Sequence, residues 1–368
     1  MNIPNLNEFT AIKHVLPAVG TWRKNVHVFD DRSAQAIRAA LAAGRPLLVR
    51  GEPGTGKSQL ARAAAKVLQR KFLSQVIDAH TEIQDLWYRF DAVSRLGNAQ
   101  VLSVNGKPED VKSELDPKKY LSPGILWWAF AWERAEKHQC EHPLFRPDQQ
   151  DHFEKNNGVV LLLDEIDKAD ADLPNSLLET LDNGKFTVPW IHDSVGIDAQ
   201  GKIPRPLVVI TTNEDRQLPG AFVRRCLVLD LSLPEKESDL IEHLKERAVH
   251  HFPLKEETDQ EESDQEIKRD QHKRLLEKSR FDERVLTEVA KQLYQDRQQA
   301  DALGVTPPGQ AEYLDILRVL DRFKRNEAPE EQLALLREIQ DFSLKKYPGM
   351  QRREETQNTA EVTEKSKE

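Results

Sequence analysis

Leu47-Leu48-Val49-Arg50-Gly51-Glu52-Pro53-Gly54-Thr55-Gly56-Lys57-Ser58 joins a short apolar run to two glycines that bracket four residues, then to Lys and Ser. The Ala-rich residues 59–68 that follow favour helix. Strand, Gly-rich loop and helix N-terminus in that order are the context in which a Walker A pattern has physical meaning. Glycines let backbone amides turn inward, and those amides, with the positive end of the helix dipole, bind polyphosphate oxygens. Gly51, Glu52, Pro53, Gly54, Thr55, Gly56, Lys57, Ser58 and Gln59 are therefore the candidate binding set. Lys57 is placed to meet the β- and γ-phosphates, and Ser58 to hold Mg²⁺.

Outward from this loop the pattern alternates. Residues 33–43 place Ala34, Ile37, Ala40 and Leu41 on one helical face, with Ser33 as cap and Gly44 as stop. Residues 72–78 read as a second strand and 81–90 as a helix. The most apolar run, 158–163, fits a central parallel strand covered on both faces, and Asp164-Glu165-Ile166-Asp167 follows at its end. Residues 206–213 form another such run, closing on Asn213, and 223–229 pass from a helix end into a last strand. Open parallel sheets bind ligands beyond the carboxyl ends of their strands, so these acids fall beside the phosphate loop.

The pattern loosens between 97 and 157, where prolines isolate one helix, 123–138, containing Trp127, Trp128 and Trp132. Such a length implies inserted function. Adjacent tryptophans on one helix are not expected both to face inward, although aromatics at this spacing usually belong to a core. Residues 184–206 resemble a hairpin with a polar tip. Past Pro234 strand-like runs vanish, leaving helical segments at 235–251, 282–299, 309–323 and 330–345. The expected organisation is a lead-in over 1–24, an α/β core with a parallel sheet between helices over 25–233, and a smaller all-helical unit over 234–346. A charged insertion occupies 255–280, and a polar, disordered tail 347–368.

The chain has 368 residues and a net charge of −9, which opposes non-specific attraction to nucleic acid. Two cysteines, Cys140 and Cys226, cannot make a disulfide framework and fit a reducing compartment. Residues 1–9 lack a basic region followed by an apolar run, and no stretch approaches a bilayer span, so a soluble cytoplasmic protein is expected. His138, Cys140, His142 and His152 match no zinc spacing and read as incidental. In a P-loop ATPase the strand-end Asp serves Mg²⁺ and a neighbouring acid polarises the attacking water, roles that fall to Asp164 and Glu165. Asn213 is suited to orient water against the γ-phosphate. Arg224 and Arg225, at the far end of a helix, reach a neighbouring subunit's nucleotide more easily than their own.

These motifs in this order resemble the AAA+ ATPases. Within them the chain is most similar to the MoxR group, on His27-Val28-Phe29-Asp30, Asp85-Leu86-Trp87-Tyr88-Arg89-Phe90-Asp91, Ser122-Pro123-Gly124 and Leu177-Leu178-Glu179-Thr180-Leu181. The resemblance spans roughly 20–345 and implies an αβα core followed by a helical lid. It assigns Lys57 and Ser58 to Walker A, Asp164 and Glu165 to Walker B, Asn213 to sensor 1, and Arg225, with Arg224 beside it, to the arginine finger. It further implies ATP and Mg²⁺ as ligands, a ring that is usually hexameric, and the 184–206 hairpin facing a pore or partner. A remodelled client protein, commonly one with a von Willebrand factor A domain, is implied by the family alone. Many members carry an arginine early in a lid helix, where this chain reads Pro307-Pro308-Gly309-Gln310-Ala311-Glu312 and has Arg318 further along. A nucleotide-gated scaffold with little turnover is the alternative reading. A DNA-acting motor is disfavoured by the acidic balance, and a P-loop kinase by the trailing position of the helical region.

Overall fold

The apolar runs of the sequence lie side by side in one parallel sheet. A computed structural model describes residues 3–10, 13–105, 111, 113–147, 157–198, 200, 202–254 and 279–344. Within these, the sheet strands are β1 (Leu47–Arg50), β2 (Lys71–Val76), β3 (Val159–Asp164), β4 (Leu207–Thr212) and β5 (Leu227–Asp230), in spatial order β5-β1-β4-β3-β2. Every neighbouring pair is parallel. Alternate side chains point to opposite faces. Leu48, Leu161, Leu163 and Ile210 enter one core, whereas Leu47, Val49, Val160, Leu162 and Val209 enter the other. Layers on both faces explain why the central runs contain no polar alternation.

Helices α1 (Asp31–Ala43) and α2 (Lys57–Val67) cover the second face. The cap of α1 is Asp30, whose carboxylate accepts from the Ser33 amide at 2.6 Å, so Ser33 lies inside the first turn and is not the cap. The expected stop, Gly44, has φ of 61°. Before α1, the described residues of the 1–24 lead-in form regular elements. A short helix at Leu6–Thr10 buries Phe9, and His14–Leu16 pairs antiparallel with Asn25–His27.

The other face is covered by α3 (Ile125–Phe130), α4 (Asp172–Asn183) and a hairpin. Here the structure departs from the sequence expectation in three places. The helix expected over 81–90 is confined to Ile83–Trp87, and Tyr88–Phe90 instead pairs with Leu121–Pro123. The helix expected over 123–138 breaks at Ala131, and both Trp127 and Trp128 are buried. They can both be inside because α3 has no solvent face. It packs on β2 and β3, on Ile83–Trp87 and on the hairpin strand Asp193–Gly196. The hairpin itself occupies Lys185–Gly196, and not the whole of 184–206. Within the 97–157 stretch a helix runs Ala92–Asn105, while residues 106–110 and 148–156 lie outside the described residues, His152 among them. Residues 255–278 of the charged insertion expected over 255–280, and the 347–368 tail, also lie outside them.

After the short helix α5 (Gly220–Arg225) and β5 come, among the described residues, four further helices, α6 (Glu237–His251), α7 (Glu283–Leu303), α8 (Gln310–Lys324) and α9 (Pro329–Ser343). They share a third core built on Leu244, Val289, Leu293, Tyr313 and Leu317. The fold is thus an α/β core with a smaller all-helical unit. Among the described residues no helix is long and apolar enough to cross a membrane.

The seam between the two units is closed by α6 against Asn25–His27. Arg247 donates to Val28 O at 2.6 Å. His27 meets the Phe29 ring edge-on at 4.6 Å, and its Nε2 is buried with no hydrogen-bond partner among the described residues. Burial, then the charge of Arg247, pushes His27 down to about 3; burial, then the charge of Arg318, does the same to His251.

Replacing Leu162, wholly buried in β3, with Ala is expected to cost about 2–5 kcal/mol of stability in urea unfolding. The seam histidines generate a second expectation. Their folded pKa lies below the value of 6.5 for a free ring, so between the two the unfolded chain binds protons that the folded chain refuses. Stability is therefore full above 6.5 and falls with pH through and below it, by up to about 1.4 kcal/mol per unit for each ring. Unfolding at about pH 5.5 should need less urea than at about pH 7.5, and His251→Gln should shrink that difference. An unchanged difference in the variant would mean that the ring titrates alike in both states.

Candidate active site

At the carboxyl end of β1 the chain turns sharply under the helical unit. Gly51 has φ of 141°, and a Cβ there would lie 2.2 Å from Leu231 O; Gly54 has φ of 79°, and its Cβ would lie 3.0 Å from that of Ala311. Only glycine meets both demands, a left-handed backbone and no room for a side chain. Helix α2 begins at Lys57 behind Gly56, with no side chain capping it. Its first amides are thus left for a ligand, and the helix dipole favours an anion there. A cavity of about 430 Å³ opens above the loop.

Lys57 and Ser58 tie the loop to the neighbouring strands. The Lys57 amine donates to Gly51 O at 2.7 Å, Glu52 O at 2.9 Å and Asn213 Oδ1 at 2.8 Å, using its three protons. Burial lowers its pKa, opposed by the negative charges of Asp164, Asp167, Glu165 and Glu52. Ser58 Oγ donates to Asp164 at 2.9 Å. Thr211 Oγ1 donates to the same carboxylate and accepts from the Glu165 amide at 3.0 Å. Asp167, buried, accepts from the Asn213 amide at 3.4 Å and the Asp215 amide at 3.1 Å.

Lys57, Ser58, Asp164, Glu165 and Asn213 all line the one cavity, together with Pro53, Gly54, Thr55, Gly56 and Gln59. Gly51 and Glu52 do not; Gly51 shapes the turn, and the Glu52 side chain points to the helical unit, where it meets Arg297. Arg224 and Arg225 also lie away from the cavity, on the exposed end of α5, where Arg225 Nε stands 3.6 Å from Asp182. The cluster His138, Cys140 and His142 gathers no metal site among the described residues. Sequence reading missed Thr211 and Asp167 as organisers. The signal for Thr211 was available, a polar pair at the end of an otherwise apolar strand. Arg318 reaches the cavity wall, paired with Asp315 at 2.5 Å, although it stands about two turns into α8.

The donor set suits a polyphosphate with a hard cation. Mg²⁺ prefers oxygen ligands and is commonly held by one or two protein oxygens with the rest from phosphate and water. The adjacent Ser58 hydroxyl and Asp164 carboxylate are oxygens of that kind, beside the first turn of α2, which no side chain caps.

Residues 46–226 match the family described as AAA domain, dynein-related subfamily. No curated protein sequence matches the chain. Among solved structures, a protein from Cytophaga hutchinsonii provisionally described as an ATPase is 14% identical, with 85% of this chain and 79% of that chain covered and a TM-score of 0.32, a likeness too slight to carry an argument. The matched stretch opens one residue before β1 and closes just after α5, enclosing the phosphate loop and both strands that flank the acids. Residues 46–226 of this chain are therefore similar to AAA domains of the dynein-related type.

Proposed function

We propose that the protein is a AAA+ ATPase of MoxR type, which hydrolyses ATP to ADP and phosphate and uses the resulting movement of its helical unit to remodel a partner protein. The observation that carries this reading is the convergence of Lys57, Ser58, Asp164, Glu165 and Asn213 on one cavity beside the free amides of α2. Amides of the loop and the Lys57 ammonium hold the polyphosphate. Ser58 and Asp164 hold Mg²⁺, which supplies neutralising charge to the phosphates when bound. Glu165 takes the proton of the attacking water, and Asn213, anchored through its amide to Asp167 and through its side chain to Lys57, orients that water.

The position of Arg224 and Arg225 supports a shared site. They stand on the exposed end of α5, away from their own cavity, so a neighbouring subunit's γ-phosphate is the one within their reach. Assembly into a ring, usually a hexamer, is what the resemblance implies, and that arrangement is in keeping with it. A von Willebrand factor A domain protein as client rests on the resemblance alone, and a cytoplasmic location on the cysteine usage and the lack of a bilayer-length apolar stretch.

Glu165→Gln is expected to bind ATP as wild type does and to lose steady-state phosphate release by about a hundredfold or more, since general-base catalysis contributes at least that factor. Turnover near wild type would remove Glu165 from the role of base, and absence of turnover in the wild type would favour the scaffold reading. Arg225→Ala should bind nucleotide, hydrolyse poorly alone, and regain activity when mixed with Glu165→Gln subunits. Failure of the mixture to exceed either variant would argue against an arginine supplied in trans.

A further inference from the structure

Glu52 is the one acid within the loop Gly51–Ser58. A bare carboxylate beside a polyphosphate is unfavourable, because like charges at short range repel. Its charge is felt inside the site, since it is among the acids that hold the proton on Lys57. The side chain turns from the cavity to Arg297 on α7, whose Nη1 donates to Glu52 Oε2 at 2.8 Å and whose Nη2 donates to Oε1 at 3.1 Å. This two-pronged geometry is the strong form of an arginine–carboxylate contact. Only 12% of the Arg297 side chain is exposed against 37% for Glu52, so the contact is shielded from water mainly on the arginine's side.

The same guanidinium fixes the docking of the helical unit. Arg297 Nη1 also donates to Pro308 O at 2.8 Å, in the turn that leads into α8. The next residue, Gly309, lies so near the loop that a Cβ would stand 2.9 Å from Pro53 O. Arg297 therefore grips the loop's acid and the segment that closes over the loop at once.

Resting on the ATP-binding reading above, we propose that Arg297 is a positioning residue of the nucleotide site: it neutralises Glu52, so the loop accepts a polyphosphate well only while the helical unit is docked. When α7 withdraws, Glu52 regains its uncompensated charge beside the phosphates, and nucleotide release is coupled to undocking by electrostatics as well as by shape.

The test is a cycle in the full chain, read by equilibrium binding and dissociation rate of a fluorescent ADP analogue, with a thermal melt for each variant. Arg297→Met keeps the bulk of the stem and removes the charge; it should weaken binding about tenfold, mainly through faster dissociation. Arg297→Lys should recover part of the loss, and Glu52→Gln alone should tighten binding. The deciding comparison is Arg297→Met in the Glu52→Gln background, where the loss should shrink to less than about threefold. An equal loss in both backgrounds would mean that Arg297 only braces Pro308, and would overturn the proposal, as would weaker binding in Glu52→Gln. If Arg297→Met does not fold, Glu52→Gln and Arg297→Lys decide by the same signs. Wild-type protein that binds no nucleotide would sink the ATP reading itself, whereas wild-type binding without recovery in the double variant sinks this proposal alone.

Discussion

The Asp164 carboxylate is the point on which the site's geometry depends. It accepts from Ser58 at the start of α2 and from Thr211 at the end of β4, and so joins the phosphate loop to two strands. The parallel register of β3 and β4 pairs Ile210 with Leu163 and, one step on, carries Thr211 beside Asp164. A slip of one residue would send both side chains to opposite faces of the sheet. The apolar rows that fix that register, Val160 and Leu162 on one face and Leu161 and Leu163 on the other, thus also fix the distance between hydroxyl and carboxylate.

Charge is balanced around the same point. Lys57 is buried, and desolvation alone disfavours its ammonium form, yet four carboxylates act against that loss. The loop can therefore keep a cation at its floor without exposing it to water. Too many acids would repel an anionic ligand. The structure divides them: Asp167 spends its two oxygens on backbone amides, Asp164 accepts hydroxyl protons, and Glu52 is covered by Arg297.

How much of this the sequence discloses depends on whether the cause is local. The phosphate loop, the buried strands and the helices of the trailing unit follow from runs, glycines and period, and each is legible without tertiary contacts. Asp30 and Ser33 are equally good caps of α1 by residue type, and only the backbone at Asp30, with ψ of 164°, decides between them. The burial of Trp127 and Trp128 has a tertiary cause, since a six-residue helix covered on all sides obeys no amphipathic rule. Arg297 is the extreme case: it stands 245 residues from Glu52, and no spacing pairs them.

The turn after β3 explains why the acids cluster as they do. Glu165 has φ of 61° and ψ of 47°, a left-handed conformation that costs a non-glycine residue about 1–3 kcal/mol. Glycine would adopt it freely, but a glycine would bring no carboxylate to the cavity. The strain is offset locally, because the Glu165 amide donates to Thr211 Oγ1 and its carbonyl accepts from the Lys168 amide at 3.0 Å. This bend ends the strand abruptly and starts the short 3₁₀ turn Ile166–Lys168, which brings Asp167 back under the loop after β4. From there Asp167 holds the amides of Asn213 and Asp215. One strained residue therefore sets two others: it presents its own carboxylate to the cavity, and through Asp167 it places the Asn213 side chain against Lys57.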